Sequence, residues 1–172
     1  TESEISFSWT ESGTASSWYY IVSDTAVTEL TEWTAQTATD TFATAAGLTA
    51  NTSYYVYVQS SCGSEWTNAL IARTDCAPIP LPYSFGFEGI WPDPCWGYAR
   101  SSASSHVNAS TSYAHEGTHA GYVYANATGN EVIISMPRFD RPLNNLQVNF
   151  WLYHTTTTQH AMQVGYMTHR DD

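Results

Sequence analysis

The apolar side chains of this chain recur every second residue along most of its length, and that period decides what it can fold into. In EISFSW (4–9), Ile5, Phe7 and Trp9 fall on one side of an extended backbone. WYYIV (18–22), EWTAQT (32–37) and DTFATAAGL (40–48) follow at spacings near the roughly 8–12 residues of a sandwich. SYYVYVQSSC (53–62) and TNALIARTDC (67–76) read as a hairpin joined across Gly63, Ser64, Glu65 and Trp66. Helical periodicity is almost absent, and no helix of three turns is predicted. A strand with one apolar face must bury it against another sheet, so the expected class is all-β, two consecutive β-sandwiches.

The division between the two is read at APIPLP (77–82), where proline stands at every second position. Proline fixes φ and donates no ladder hydrogen bond, so this stretch reads as a short, semi-rigid linker. The predicted organisation is therefore residues 1–76, a linker at 77–82, and residues 83–172. Beyond the linker the expected strands are Tyr83–Phe87, Ala120–Tyr124, Glu131–Met136, Leu146–Tyr153 and Ala161–Met167. ARSSASSHVNASTSYAHEG (99–117) is expected to be a long loop, and HTTTTQH (154–160) a tip between strands.

Composition narrows the partners. Hydrophobic residues make up 42% and aromatics 15%, enough for a packed core. Only 12% of residues are charged, the net charge is −11, and all five bases are arginine (73, 100, 138, 141, 170). With no cluster of cations to neutralise phosphates, nucleic acid and anionic membrane are not expected partners. No run approaches the ~18 apolar residues of a membrane span. Both ends read as cut from a longer polypeptide, and the odd count of cysteines (62, 76, 95) leaves at least one to pair outside the segment.

HEGTH (115–119) matches His-Glu-x-x-His, in which two histidines one helical turn apart hold Zn²⁺ and the glutamate serves as general base. Here Gly117 sits inside the required helix and Gly121 just beyond it, each costing about 1 kcal/mol relative to Ala. AGYVYA directly after is strand-like, and Tyr122 and Ala125 stand where a third ligand motif would need Gly and His. The stretch is read as a turn entering a strand, with no zinc expected. His106, His154, His160 and His169 are read as solvated loop and strand-end residues. No Ser-His-Asp set or carboxylate pair can be singled out, and the chain is not expected to be an enzyme.

The residues of the first half resemble a fibronectin type III domain. Trp9 in the second strand and LTANTSYYVYV (48–58) carry the likeness. Leu48 and Tyr54 have the six-residue spacing of the tyrosine corner, with Ala50 where that family has proline. The match covers about residues 3–75, with the family's first strand missing. The second half resembles the MAM-like jelly-roll domains of bacterial cleaved-adhesin proteins. LPYSFGFEG, PCW, HEGTHAGYVY, NEVIISMPRF, LQVNFWL and MQVGYMTHRDD fall in that family's order. About five of the eight strands of a jelly roll are expected, its C-terminal part being absent.

These resemblances imply several sites. The glutamate of FE, Glu88, is expected to help hold a structural Ca²⁺, which needs several oxygen ligands. In a fibronectin-type hairpin, Cys62 and Cys76 lie a strand length apart, over ~20 Å, too far for a disulfide. Cys95 precedes Trp96 where MAM-like domains also carry cysteine, so the resemblance implies a Cys76–Cys95 bridge, with Cys62 pairing upstream. Trp9, Trp96 and Trp151 alternate with apolar neighbours and read as core. Trp33 and Trp66 read as surface rings able to stack on a glycan. Asp24-Thr25-Ala26 matches the O-glycosylation pattern of bacteria carrying such adhesins, at Thr25. Asn51, Asn108 and Asn126 head formal N-glycosylation sequons.

The functional expectation is a non-catalytic adhesion, binding or spacer module of a large secreted or bacterial cell-surface protein, of the kind exported by the type IX route. Its partner would be a host or neighbouring-cell glycan or protein, or other modules of the same chain. The alternative is an accessory, glycan-binding or partner-positioning portion of a secreted hydrolase or peptidase whose catalytic domain lies elsewhere. No organic cofactor is expected.

Overall fold

A computed structural model describes residues 1–63, 65–89, 91–154 and 161–167. The chain is all-β, built from antiparallel sheets, and its only helical pieces among the described residues are two single 3₁₀ turns, Glu32–Thr34 and Leu143–Asn145. Among these residues no helix is long and apolar enough to cross a membrane.

The N-terminal half contains β1 (Glu4–Ser8), β2 (Trp18–Ser23), β3 (Gln36–Ala38), β4 (Phe42–Ala46), β5 (Ser53–Ser60) and β6 (Leu70–Arg73). β1 pairs with β4 in one sheet, and the other runs β3-β2-β5-β6. Their inner faces meet. Trp18, Tyr20 and Val58 from the larger sheet pack with Ala43 of β4, and Phe7 lies edge-on to Tyr20 at 5.4 Å. The alternation does this directly: Tyr20 sits opposite Val58 on the core side, while Tyr19 sits opposite Gln59 on the outer side.

One corner is tied by buried polar groups. The Thr49 N–H donates to the Tyr54 hydroxyl at 2.8 Å, and the Thr74 hydroxyl, also buried, donates to the Thr49 carbonyl at 2.7 Å. On the outer face, Tyr57 is buried too, because the β2–β3 connection folds across it and the Val27 N–H donates to its hydroxyl at 3.1 Å.

The C-terminal half contains β7 (Gly97–Arg100), β8 (His106–Ser110), β9 (Ala120–Tyr124) and β10 (Val132–Ser135). β8 pairs with β9 and β7 with β10, two nested antiparallel pairs of a folded ribbon. Its apolar centre is aromatic: Phe85 lies 4.6 Å from Trp96 and 4.9 Å from Phe87, and Phe87 lies 5.2 Å from Trp91. Gly121 of β9 makes room for this cluster, since a Cβ there would fall 2.5 Å from the Phe87 ring. The proline-rich stretch is tied into this half, as the Ile79 N–H donates to the Arg138 carbonyl at 2.8 Å.

Several local expectations differ from the structure. EWTAQT splits into the 3₁₀ turn and the short β3, because the connection is pinned over Tyr57 and joins the sheet only at Gln36. The connection between β5 and β6 runs from residue 61 to 69 and is held by Thr67, which bonds both backbone groups of Val58. The stretch expected as a loop from 99 to 117 contains β8, recruited by its partner β9. Tyr83–Phe87, Leu146–Tyr153 and Ala161–Met167 join no ladder among the described residues. Apolar alternation alone does not make a strand when its N–H and C=O groups meet no partner. Trp151, expected in the core, is 77% exposed for the same reason. Residues 155–160 of the expected tip, with His160, lie outside the described residues, as does His169.

Candidate functional site

HEGTH forms no helix; its residues are bends leading into β9, with Gly117 at φ +73°. The shared helical face required by a zinc motif is not formed. His115 lies flat on Trp151 at 3.9 Å, and the side chain of Glu116 points into solvent at 88% exposure. His119 turns instead towards Glu88, thirty-one residues upstream, with Nδ1 3.1 Å from Oε2.

Glu88 clasps this turn. Its Oε1 accepts the Thr118 N–H at 2.8 Å and the His119 N–H at 2.9 Å, and its Oε2 accepts the Thr118 hydroxyl at 2.5 Å. Two features of the local sequence permit it. Gly117 adopts a left-handed φ that L side chains disfavour, and a Cβ there would stand 2.2 Å from Oε1. Phe87 directs its ring into the aromatic cluster, leaving the next side chain facing the turn. The Thr118 hydroxyl foremost, then the His119 N–H and ring, hold the Glu88 carboxyl down from 4.5 to about 2; desolvation opposes them, and the Thr118 N–H contributes least.

This arrangement bears on the Ca²⁺ expected at Glu88. A carboxylate offers about four lone-pair sites; three donors point at these two oxygens, and His119 Nδ1 lies within hydrogen-bond distance of Oε2. The same N–H groups that favour an anion would repel a cation. No group of three or more His, Cys, Asp or Glu is arranged to hold a metal ion among the described residues. In this structure both Glu88 oxygens are engaged by Thr118 and His119, as the clasp of a turn.

Cys76 and Cys95 form a disulfide, with Cα atoms 5.7 Å apart, while Cys62 is a free, exposed thiol. Trp33 projects from the 3₁₀ turn at 98% exposure. Trp66 lines a shallow concavity of about 550 Å³ with Leu30, Glu32, Gln59 and Glu65, on the outer face of the four-stranded sheet. Sequence reading found Trp66 but missed its neighbours, because Glu32 and Glu65 lie on different connections. Thr25 is exposed, in a turn where its N–H donates to the Ser23 hydroxyl at 3.2 Å. Of the sequon asparagines, Asn51 and Asn126 are engaged by Arg73 and by Ser105 respectively, and Asn108 is exposed on β8. No protein-family model, curated protein or solved structure matched the chain.

Proposed function

We propose that this chain is a non-catalytic adhesion or binding module of a large extracellular, bacterial cell-surface protein, a fibronectin type III-like unit followed by a MAM-like jelly-roll unit. The observation that carries the reading is the N-terminal pair of sheets, ordered β3-β2-β5-β6 over β1-β4, with the Tyr54 hydroxyl bonded to its corner at Thr49. The nested pairing of β7–β10 and β8–β9 supports a jelly-roll ribbon in the second unit. A disulfide is compatible with an oxidising, extracellular setting. Fold alone does not assign a ligand, so the binding role rests on the surface.

The experiment is to display the purified chain against arrays of glycans and of extracellular matrix proteins, alongside panels of peptide and glycoside substrates. Saturable binding without turnover supports the module. Turnover of any substrate by the chain alone would sink it.

A further inference from the structure

The concavity beside Trp66 has a chemistry of its own. Leu30 and Trp66 give it apolar walls, and Gln59 stands on its floor strand. Two acidic residues, Glu32 and Glu65, line it from separate connections, the 3₁₀ turn after β2 and the loop after β5. Neither makes an ion pair among the described residues. The described arginines are engaged elsewhere: Arg73 with Asn51, Arg100 with the Ser105 carbonyl, Arg138 with Glu2 and Arg141 with Asp140. The chain has no lysine, and its net charge is −11. Nothing described within the molecule offers these two carboxylates a cation.

We propose that this concavity receives the arginine or lysine side chain of a partner protein. The inference rests on the reading of the chain as a binding module and names the partner's chemistry. An indole face attracts a cation through the ring quadrupole, and a guanidinium lying on it can reach carboxylates at its edge with its fork of donors. Asp24 and Glu29, on the same connection as Glu32, extend the negative field that steers a basic partner inward. A neutral sugar would also stack on Trp66, but it leaves both charges uncompensated, and the charge balance favours the cation.

The test is titration of the whole chain, read by tryptophan fluorescence, with three probes: a blocked hexapeptide alternating Arg and Gly, its Glu-for-Arg counterpart, and a neutral hexasaccharide. The arginine peptide is expected to bind saturably, and the others not. Glu32→Gln with Glu65→Gln should weaken that binding about tenfold at low ionic strength. Glu4→Gln with Glu116→Gln, which removes the same charge elsewhere, should change it less than about twofold. Trp66→Phe should retain measurable binding, and ionic strength near ~1 M should abolish it. Equal loss in the two double variants would overturn the site, because the attraction would then be net charge alone. Saccharide binding without peptide binding would overturn the cationic ligand and leave the module reading standing. Absence of binding to any probe would overturn the site as well. Conversion of a probe to product would instead overturn the module reading itself.

Discussion

Replacing Tyr54 by phenylalanine removes one oxygen from the corner that joins β4 to β5. The ring is buried, at 7% exposure, and its hydroxyl accepts the Thr49 N–H at 2.8 Å. Phenylalanine fills the same volume, so the packing contribution is nearly unchanged and the loss is polar. The Thr49 carbonyl keeps its bond from the Thr74 hydroxyl, but the N–H loses its acceptor. Stranding a partly buried N–H costs about 1–3 kcal/mol, and partial access of water at the corner places the expected value near ~1.5 kcal/mol. With a urea dependence of about 1.5 kcal/mol/M, the unfolding midpoint should fall by about 1 M at unchanged slope. Tyr55→Phe is the control, since the next residue points to the opposite, half-exposed side. Equilibrium urea unfolding followed by tryptophan fluorescence measures both. If Tyr54→Phe and Tyr55→Phe agree within about 0.3 kcal/mol, the hydroxyl is not a working part of the corner, and the likeness to a tyrosine corner fails with it.

Three further outcomes follow from the C-terminal half. Opening the Cys76–Cys95 bridge by Cys95→Ser frees a loop of about 20 residues, and loop-closure entropy puts the loss near 3 kcal/mol; an unchanged melt under non-reducing conditions would contradict it. Gly117→Ala should cost at least ~1 kcal/mol, from the left-handed φ and from a Cβ placed against Glu88, and a neutral result in chemical unfolding would refute the clasp. The carboxyl of Glu88 is depressed in the folded chain, so its contribution is present above the ordinary value near 4.5 and disappears as pH falls through about 2. Stability measured from pH 5 to about 2 should therefore fall more steeply for the wild type than for Glu88→Gln, and parallel curves would show that the clasp does not titrate.

The strands that were legible in sequence are those whose alternation matches a buried face. Trp18 and Tyr20, Ala43 and Ala45, and Tyr54, Val56 and Val58 are buried in register, so the period alone located them. β8 was not legible: HVNAS buries only Val107 fully, and its strand geometry comes from the ladder with β9. The opposite failure is LQVNFWLY, which has the pattern but no ladder partner among the described residues, so Phe150, Trp151, Leu152 and Tyr153 stand exposed. The clasp joins residues thirty positions apart, and neither end announces the other. Its one local sign was Gly117 followed by Thr118, the pair that lets a carboxylate approach the backbone. The concavity shows the same limit, because Glu32 and Glu65 come to line one recess only when two connections fold onto the sheet.

The central claim, that the chain binds without transforming what it binds, has a direct measurement. Any glycan or protein captured saturably by the purified chain is held on it overnight, eluted, and compared by mass spectrometry with ligand kept in buffer. The account predicts that the ligand is recovered at unchanged mass and in full amount. Ligand eluted cleaved or otherwise altered, in proportion to the chain present, would contradict it.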